Sequence, residues 1–528
     1  MPTPRAHGGA ALQRIPLTVP GFMGLNKQSA NSLLGPEWAT RLDNAVIDSS
    51  NRLAARKGWT DQTTTPVADA LISGTEFYKH DGTKTLIFAT DNATIVQSTD
   101  DGSTFTDVTG TAVFTDGLWE WHNFADALIG VQDGKQPIVY TTGAGSFSHI
   151  SDTSNEPTGK CGLSAFGRMW IADADGNTLK YSALLDYSDW SGSDAGAFDF
   201  KNVWQGTDTI EHVAAFNGVL VVFGKNNILF LTDGAGSALG VNPTNLYVVD
   251  TIRGTGCIAR DSVQHIEGDM WFLSRQGLMS LGRLIQEKSN PLDNLSKHVQ
   301  DFISDSFNDT AFDTTRLRSA YSPRNRFYLL SLPKESATGQ LDEIGSVIAF
   351  DTRSRMEDGA ARCLGTWNGI VPTVLINRVN DDLICAHHTS DGQLYKYEGW
   401  TDDGASIAFE YRSGWTDLGG QGFLKMLKRL NIVFFSDGAM TVNFKWAWDF
   451  NDDYTTRAKT FVSGGVAANW GVSEFGIAEF SGGVGLNDGK VQGNGTGEYI
   501  KFGVSVTING NQFSLQQLDL YARIGRYA

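Results

Sequence analysis

A short acidic stretch and a pair of adjacent histidines are the residues of this sequence whose types and spacing most resemble a metal site. Residues 173–177 (DADGN) have the D-x-D-x-N spacing of the first ligands of a calcium loop. The stretch lacks the distal bidentate glutamate of such a loop and lies between two strand-like runs, so it favours a hairpin turn. His387 and His388 are neighbours on a predicted strand, where successive side chains point to opposite faces, so they cannot chelate one ion from one face.

Residues 98–105 (STDDGSTF) form a second stretch with a recognisable pattern. They resemble the Asp-box of sialidase-like propellers, S-x-D-x-G-x-T-W, with phenylalanine in the place of tryptophan. The spacing serves a local turn, because the Asp side chain accepts backbone N–H bonds, Gly adopts positive φ and the aromatic ring packs beneath. We interpret it as a structural turn. A sialidase would also need several arginines on the propeller axis, and the sequence does not place its candidates together: Arg168, Arg253, Arg318 and Arg326.

Motifs that bind phosphate or activate a nucleophile are absent from the sequence. We find no Gly-rich phosphate loop, no H-E-x-x-H and no G-x-S-x-G elbow. We therefore expect no catalytic residue, no cofactor-binding residue and no metal ligand, in a protein that is not an enzyme. A carboxylate pair of the glycosidase type stays open, because propellers assemble active sites from residues scattered around their axis.

The balance of charge is strongly acidic. The chain has 42 lysines and arginines against 59 aspartates and glutamates, a formal charge of −17. An exposed nucleic-acid-binding surface needs a basic stripe that displaces counterions, and this composition argues against one. It does not exclude a conduit for DNA, in which attraction to phosphates would be a hindrance.

The cysteines and the apolar segments indicate which cellular compartment the chain occupies and whether it enters a membrane. Cys161, Cys257, Cys363 and Cys385 form no C-x-x-C pair and fit no zinc pattern. We expect four free thiols in a reducing compartment, with Cys385 buried inside an apolar strand. The N-terminus lacks the apolar core of a signal peptide and no run of 18 apolar residues exists, so no stable membrane insertion is expected.

The elements that must position any functional residue repeat along the chain. Seven short apolar runs align on Leu86, Leu128, Met169, Leu220, Met270, Phe327 and Leu383. The steps between them are 42, 41, 51, 50, 57 and 56 residues. A recurring unit of about 40–50 residues, made of short strands and tight turns, is the signature of a β-propeller. The sequence therefore predicts an all-β chain with a propeller of six or seven blades. Seven are favoured, although the irregular fifth and sixth units could merge.

The other segments give the domain organisation. Residues 1–20, rich in proline and small residues, predict a flexible N-terminal arm or an arm that orders on a neighbour. Residues 21–60 contain a plausible hairpin, which we expect to complete the last blade and so remove two open sheet edges. The propeller then occupies residues 61–404, with a helical insertion near 290–308. Residues 405–528 alternate strictly between apolar and polar positions, which predicts an antiparallel β-sandwich-like domain with Gly-rich loops.

The helical insertion has clear signals of its own. Asn290 suits the N-cap and Pro291 the first helical position. Apolar residues then recur at helical spacing on one face, which must cover the propeller or a partner chain. In the C-terminal domain, the shift in alternation between Leu515 and Leu518 predicts a β-bulge.

Three phrases near the start of the chain resemble a known family. They are residues 21–26 (GFMGLN), 38–45 (WATRLDNA) and 52–59 (RLAARKGW). The tail nozzle proteins of short-tailed bacteriophages, also called tail tubular B or tail-stabilisation proteins, often open with similar G-G-L-N, L-D-N and R-x-G-[WY] phrases. Met23 stands where glycine is usual in that family. Residues 166–170 (FGRMW) and 272–281 (FLSRQGLMSL) are similar to later phrases, so that the resemblance covers most of the chain before the C-terminal domain.

This resemblance implies a structural role in a virion. Such proteins form a homo-oligomeric ring, typically a hexamer, below the adaptor ring of the tail, and they surround the channel for DNA ejection, which their loops could gate. The expected partners are other copies of the chain, the adaptor ring, tail fibres or spikes, and phage DNA that passes without sequence-specific binding. The expected location is the tail of the virion, after assembly in the bacterial cytoplasm.

Two alternative functions stay open on the sequence. One is a propeller-type tail protein that binds or degrades host glycans. The other is a scaffold propeller that binds proteins on one face.

Overall fold

The computed structural model describes residues 12–18, 20–115, 117–141, 143–152, 155–204, 208–234, 242–282, 294–308, 312–333, 346–387, 392–418, 422–462 and 485–527. These residues form an almost wholly β structure with two parts, a ring of small sheets and a two-layer sandwich. The first strands are divided between the two parts: β1 (Leu12–Thr18), β2 (Gly24–Leu25), β3 (Trp38–Ala39), β4 (Arg41–Asp43), β5 (Ala45–Ile47), β6 (Leu53–Ala55) and β7 (Trp59–Asp61).

Four antiparallel sheets of four strands follow one another and form blades 1 to 4. Within each sheet the strands lie side by side in chain order, as in a propeller blade. Blade 1 contains β8 (Leu71–Tyr78), β9 (Lys84–Thr90), β10 (Ile95–Ser98) and β11 (Thr106–Asp107). Blade 2 contains β12 (Trp119–Phe124), β13 (Ala127–Gln132), β14 (Ile138–Thr141) and β15 (Phe147–His149). Blade 3 contains β16 (Cys161–Ala165), β17 (Arg168–Ala172), β18 (Thr178–Tyr181) and β19 (Gly196–Asp199). Blade 4 contains β20 (Ile210–Phe216), β21 (Val219–Gly224), β22 (Asn227–Thr232) and β23 (Tyr247–Arg253).

The remaining blades are less regular. Blade 5 has three described strands, β24 (Gln264–Ile266), β25 (Asp269–Ser274) and β26 (Gly277–Ser280). Blade 6 contains β27 (Ser319–Ser322), β28 (Phe327–Leu332), β29 (Ser346–Arg355) and β30 (Ala361–Trp367), and these four strands begin a nine-stranded sheet that continues into the sandwich. Blade 7 contains β31 (Pro372–Asn377), β32 (Leu383–His387) and β33 (Leu394–Tyr397), and β7 is its outermost strand.

The first strands of the blades surround the propeller axis. Strand β31 contacts β8, which closes the ring between blades 7 and 1. The seven apolar runs seen in the sequence are the second strands of the blades, and every residue of β13 and β17 is buried. A strand packed between two neighbouring blades must be apolar on both faces, and this explains the pattern. The prediction of an all-β propeller of six or seven blades, followed by a sandwich, is confirmed.

Closure of the ring differs from our expectation. The predicted hairpin exists as β5 and β6, but β6 pairs with the C-terminal strand β41 (Ser514–Tyr527) of the sandwich. Closure is made by the next strand, β7, whose Trp59–Asp61 segment pairs with Tyr395–Tyr397 of β33. All three residues of β6 are buried. A strand buried on both faces needs the two layers that the sandwich supplies, whereas β7 lies at the edge of a blade.

A short helix completes the outer side of blade 5. A 3₁₀ turn (Lys297–Val299) leads into α1 (Gln300–Asn308), while the predicted cap residues Asn290 and Pro291 lie outside the described residues. Before the helix, Leu295 receives a main-chain hydrogen bond at its carbonyl from Ala361 and donates one to Leu278, which ties blade 6 to blade 5. The apolar side chains of this segment are buried in the main core, among them Leu295, Val299 and Ile303. The apolar face therefore covers the propeller, one of the two predicted options.

The sandwich is built from two antiparallel layers. The first layer continues the nine-stranded sheet from blade 6 through β4 to β34 (Ile407–Arg412), β40 (Ile500–Ile508), β36 (Met440–Trp448) and β37 (Thr455–Phe461). The second contains β38 (Gly485–Gln492), β35 (Phe423–Ser436), β41, β6 and β5, with β39 (Thr496–Gly497) beside β35. The predicted bulge is present, because the pairing of β41 with β35 shifts between Leu515 and Gln517.

The N-terminal segment is partly ordered rather than flexible. Residues 12–18 form β1, which pairs along seven residues with β41, from Leu12 opposite Arg523 to Thr18 opposite Gln517. The Arg14 guanidinium lies 3.0 Å from the carboxylate of Asp519. A sheet edge that is open to pairing explains why a polar, proline-containing segment becomes ordered here.

No helix in the described part of the chain is long and apolar enough to cross a membrane.

Candidate functional site

A polar cavity lies on the propeller axis, where the first strands of the blades meet. Its volume is about 210 Å³. At about 30 Å³ for each water molecule in the liquid, this is room for about seven waters. Its charged and imidazole side chains come from blades 2, 4, 5 and 6: Glu120, His212, Arg260, Asp261 and Arg318. We call these five residues and His122 the axial cluster.

Glu120 is placed by the alternation of β12. The rings of Trp119 and Trp121 stack at a centroid distance of 5.4 Å, and the Trp121 indole N–H donates to the Ser73 hydroxyl of blade 1 at 3.1 Å. Because strand side chains alternate, the carboxylate of Glu120 points away from the two indoles, towards blade 3. There its Oε2 accepts the main-chain N–H of Gly162 at 2.8 Å.

Two imidazoles face the Glu120 carboxylate. His122 Nε2 lies 3.8 Å from Oε2, and His212 Nδ1 lies 3.6 Å from Oε1. Both ring nitrogens are buried and have no hydrogen-bond partner among the described residues. A side chain at Gly162 would force the His122 ring to shift, because its Cβ would lie 2.9 Å from His122 Nε2. The glycine in β16 therefore leaves the space that the imidazole occupies.

The electrostatics of the cluster keep Glu120 ionised and disfavour the charged form of His212. Burial alone would raise the pKa of Glu120, but the neighbouring His122 imidazole and the positive charge of Arg260 hold it at about 2. Burial lowers the pKa of His212, and the negative charge of Glu120 opposes this effect. The cluster is thus a carboxylate among cations and neutral donors rather than a proton donor.

Asp261 joins the two arginines of the cluster. Its Oδ1 lies 2.7 Å from Arg260 Nε and its Oδ2 lies 2.8 Å from Arg318 Nη1. The guanidinium of Arg260 also donates to the Lys160 carbonyl at 3.3 Å. The remaining donors of Arg318 bind main-chain carbonyls of three blades, which are those of Leu317, Thr373 and Ile72.

This arrangement is suited to bracing the axis rather than to catalysis. A glycosidase needs one protonated carboxylic acid and one carboxylate. Glu120 remains ionised, and both oxygens of Asp261 pair with arginines. No group of three His, Cys, Asp or Glu in the described residues could hold a metal ion. The network instead connects blades 1, 2, 3, 5, 6 and 7 by hydrogen bonds or ion pairs around the axis, and His212 brings blade 4 to within 3.6 Å of the Glu120 carboxylate.

Only one of the four arginines singled out in the sequence lies in the axial cluster. Arg318 does, whereas Arg168 is buried in blade 3 and donates to the Ser182 carbonyl and to Asp194. Arg253 is exposed at the end of β23, and Arg326 is exposed in the turn before β28, with φ of 56°. The structure therefore does not bring them together as a carboxylate-binding set.

The Asp-box has the local geometry that its spacing predicts. Asp100 accepts the N–H of Thr104 at 3.0 Å and its hydroxyl at 2.6 Å, while Ser98 accepts the N–H of Gly102. These hydrogen bonds, first of all that of the Thr104 hydroxyl, hold the pKa of Asp100 at about 2. Gly102 has φ of +96°, and Phe105 packs edge-on against Phe88. The interpretation as a structural turn is confirmed.

The DADGN stretch is also a turn. It connects β17 and β18, and Asp175 accepts the N–H groups of Asn177 and Thr178 at 2.8 and 2.9 Å. Asp173 forms an ion pair with Lys180 at 2.8 Å. Of the histidine pair, His387 is the last residue of β32 and His388 lies outside the described residues.

The four cysteines are free, as predicted, and all of them are buried, whereas the sequence predicted burial only for Cys385. Burial raises the pKa of each thiol, that of Cys257 and of Cys363 to about 12. Such thiols are unreactive towards electrophiles.

A second cluster lies where the propeller meets the sandwich. The guanidinium of Arg56, fully buried, donates to the side-chain oxygen of Asn44 at 2.9 Å and to both oxygens of Asp402 at 2.8 and 2.6 Å. Asn44 has φ of 54° and donates from its amide to the Ala408 carbonyl at 2.8 Å. Trp59 packs against Tyr397 of blade 7 at 5.2 Å between ring centroids. We call Arg56, Asn44 and Asp402 the joint.

The sequence alone did not predict that the residues of the axial cluster, or those of the joint, lie together. The signal for Glu120 was present in the alternation of Trp119 and Trp121, which shows that Glu120 and the tryptophans lie on opposite faces. No local signal indicates that Arg260 and His212 converge on it, because they belong to other blades. For the joint, the signal was the pair of phrases that contain Asn44 and Arg56.

Comparison with known proteins adds little beyond the fold. No family model matches the chain, and no curated protein matches it. Matching solved structures include the computationally designed Ika8 protein (10% identity, TM-score 0.35, 64% of this chain and 99% of that chain). They also include YCF48 bound to D1 peptide (11%, 0.37, 65% and 98%) and YCF48 from Cyanidioschyzon merolae (14%, 0.38, 65% and 98%). Similarities at this level do not bear on function.

Proposed function

We propose that the chain is a structural subunit of the tail nozzle of a short-tailed bacteriophage. Copies of it form a closed ring, a hexamer by family resemblance, below the adaptor ring, and the ring surrounds the channel for DNA ejection. The observation that carries the proposal is the joint. Two of the phrases that resemble the family, L-D-N and R-x-G-W, meet there through Asn44 and Arg56 and hold the propeller to the sandwich. Sequence phrases whose residues hold two parts of the molecule together fit a structural component of a particle better than an enzyme.

The continuity of the two parts supports this role. One sheet of nine strands runs from blade 6 through β4 into the sandwich, so that main-chain hydrogen bonds link the two parts. The buried residues of blade 6 and of both sandwich layers belong to one core cluster. A subunit with few hinges transmits force without internal movement, as a wall of a channel must.

The axial cavity limits where DNA can pass. The major groove of B-DNA alone is about 12 Å wide, whereas a cube with the cavity's volume of about 210 Å³ has an edge of only about 6 Å, and side chains of the axial cluster line the cavity. Duplex DNA therefore cannot pass along the axis of the propeller. The conduit of the proposed nozzle lies between subunits, at the centre of the ring.

The charge of the chain suits such a conduit. Exposed aspartates lie in the turns between the second and third strands of blades 1, 2 and 3, and these turns share one face of the propeller: Asp91, Asp133 and Asp175. We propose that this face lines the lumen and that some of its loops gate it. Carboxylates repel phosphates, so DNA would slide past without being held.

The two alternatives have less support. A glycan-degrading propeller would use carboxylates on the axis, and those of the axial cluster are engaged by cations and hydrogen bonds. The other alternative is a scaffold that binds proteins on one propeller face, and no described feature of either face specifically favours it.

Light scattering and electron microscopy of the purified chain, alone and with the tail adaptor ring, test the proposal. We expect a closed ring, with a central opening wide enough for duplex DNA and with aspartates on its wall. In virions of the source phage, antibodies against the chain should label the tail. A chain that stays monomeric with and without adaptor, or a ring with a basic lumen, would contradict the nozzle. Cleavage of a soluble polysaccharide would support the glycan-degrading alternative.

A further inference from the structure

The acidic charge of the chain is concentrated in the first three blades of the propeller. Residues 61–204, which span β7 and blades 1 to 3, contain 20 carboxylate side chains and 7 lysines or arginines, a formal charge of −13. Residues 405–528, which form most of the sandwich, contain 11 of each and are neutral. The first three blades are therefore more acidic than the rest of the propeller, because residues 205–404 contain 25 carboxylate side chains and 17 lysines or arginines, a formal charge of −8.

Within the neutral sandwich, the outer face of its second layer is basic. Pairing places Arg14 of β1, Tyr521 of β41, Arg429 of β35 and Gln492 of β38 in one row across four strands. Asn431, Lys490 and Asp519 lie in the next row, where Asp519 is neutralised by its ion pair with Arg14. Arg523 and Met426 lie in the row on the other side. Asp488, two residues before Lys490, is the exposed carboxylate of this face, so cations outnumber free carboxylates there. We call Lys428, Arg429, Lys490 and Arg523 the basic face.

The cations of the basic face are available to a partner. Lys428, Lys490 and Arg523 are exposed, and none of the four forms an ion pair with a described residue. Arg429 stacks on the Tyr521 ring at 4.0 Å, which orients its guanidinium along the sheet. Exposed apolar side chains lie in the same area, among them Met426 (41% exposed) and Leu12 (48% exposed). A flat surface with cations, an aromatic ring and some apolar area is typical of a protein interface.

The carboxylates that match this face lie at the rim of blades 1 and 3. Asp107 is on β11 and Asp199 on β19, the outermost strands of their blades, and both are exposed. Neither forms an ion pair with a described residue. We call these two residues the acidic rim. It is distinct from the face that carries Asp91, Asp133 and Asp175.

The order of the blades places the two surfaces on different parts of the molecule. The sandwich extends from the outer strand of blade 6. In the closed ring, blade 7 separates blade 1 from blade 6, and blades 4 and 5 separate blade 3 from blade 6. No ion pair within the described part of one copy joins the acidic rim to the basic face.

We propose that the basic face of one copy docks on the acidic rim of a second copy. The inference rests on the proposed function, since it names the contact that builds the nozzle ring. Because the two surfaces differ, the contact is heterologous, and such a contact builds a ring when its rotation returns the last copy to the first. Charge complementarity sets the orientation of the docked copies and steers their encounter. Screening by salt weakens such a contact, so the ring should dissociate as ionic strength rises.

Charge reversal of each surface tests the contact. Arg429→Glu with Lys490→Glu, and separately Asp107→Lys with Asp199→Lys, should each raise the concentration needed for ring assembly at least tenfold in light scattering. The matched control is Lys84→Glu with Arg326→Glu, two exposed cations beside the starts of β9 and β28 that form no ion pair with a described residue, and it should assemble as the wild type does. Circular dichroism and thermal unfolding establish that each variant is folded.

The combination of the two reversals makes the test decisive. A chain with all four substitutions again has complementary surfaces, and it should assemble within about threefold of the wild-type concentration. Normal assembly of both single-surface variants would overturn the contact while leaving the nozzle intact. A wild-type chain that never assembles would overturn the nozzle itself.

Nucleic acid is the other class of acidic partner, and a binding assay separates it. We expect no salt-dependent binding of duplex DNA by the wild-type chain. Binding that is lost in the Arg429→Glu, Lys490→Glu variant, with ring assembly unchanged, would show that the basic face is a DNA surface and would overturn the docking proposal.

Discussion

Arg56 and Asp402 form a bidentate ion pair, with Nη1 2.8 Å from Oδ1 and Nη2 2.6 Å from Oδ2. Arg56 precedes β7, the strand that closes blade 7. Asp402 follows β33 of blade 7 and lies in the segment that leads to β34 of the sandwich. The pair therefore fixes the start of the propeller to its end at the place where the sandwich begins. The guanidinium also donates to the carbonyls of Lys57 and Asn368, so each of its nitrogens has a partner.

Removal of this guanidinium should destabilise the protein strongly. Arg56→Ala leaves the Asp402 carboxylate, 16% exposed, without its cation. Loss of one member of a buried pair costs about 3–5 kcal/mol. Arg56→Lys keeps the charge but loses the planar fork, so its loss should be intermediate. Urea unfolding measures both.

Arg324→Ala provides the control for this series. Arg324 is 66% exposed and lies 3.4 Å from Asp382. Surface pairs contribute about 0–1 kcal/mol, so this variant should unfold close to the wild-type midpoint. If Arg56→Ala unfolded at the same urea concentration as Arg324→Ala, the joint would not hold the two parts together.

Gly58 should not tolerate a side chain. A Cβ at this position would lie 1.8 Å from the Thr401 carbonyl oxygen, and the atom it meets belongs to the main chain. Gly58→Ala must therefore push β7 away from the turn it bonds to, at a cost of about 1–3 kcal/mol. Gly268→Ala is the matched control, because nothing lies within 4 Å of its Cβ. Thermal unfolding of the two variants should separate them by several degrees, and equal midpoints would contradict the close approach seen here.

The sequence predicted those parts of the fold whose environment is set by neighbours along the chain. Runs such as the one that contains Leu128 are apolar on both faces because every blade buries its second strand. Since such a run recurs once in every blade, the repeat is visible in the sequence. The Asp-box around Asp100 was predicted for the same reason, since its hydrogen bonds join residues within one turn.

Features that depend on distant pairing could not be predicted. The hairpin of β5 and β6 was found, but only the position of β41 decides which sheet it joins. The composition of the residues that form β1 predicts disorder, whereas these residues are ordered by pairing with the edge of the C-terminal strand β41. Likewise, Glu120 and His212 meet because blades 2 and 4 face one axis, and no spacing along the chain encodes that contact.

Glu120 should contribute to stability in a defined range of pH. Its pKa in the folded protein is about 2, against an ordinary value of 4.5. A lowered pKa gives stability that is fully present above the unfolded value and is lost as pH falls from about 4.5 towards 2. At about 1.4 kcal/mol for each pKa unit, Glu120→Gln should cost about 3 kcal/mol at pH 7.

The difference between wild type and Glu120→Gln should therefore shrink when unfolding is repeated at pH 3. Glu357→Gln is a suitable control, because Glu357 is exposed and forms no ion pair with a described residue. It should match the wild type at both pH values. A difference for Glu120→Gln that was the same at pH 7 and pH 3 would show that the carboxylate charge does not stabilise the axis.

The four thiols should be protected in the folded chain. Each is buried, and burial raises the thiol pKa, to about 12 for Cys257 and Cys363. The reactive thiolate is therefore scarce at pH 8. Mass spectrometry after treatment with iodoacetamide should find no modified cysteine in the native protein and four in denaturant. Rapid modification of Cys161 or Cys385 in the native state would show that its blade opens.

Deletion of residues 1–18 should leave the propeller folded and make the sandwich prone to association. Strand β1 covers the edge of β41 from Gln517 to Arg523, and Leu17 is one of its buried side chains. Without β1, the N–H and C=O groups along that edge are open to another chain. The expected result is a near-wild-type far-ultraviolet circular dichroism spectrum together with concentration-dependent aggregation in light scattering. Deletion of residues 1–11 alone, which keeps β1, should behave as the wild type does. If both deletions remained equally soluble, β1 would not be the cover of that edge, since a seven-residue ladder cannot be lost without exposing its partner.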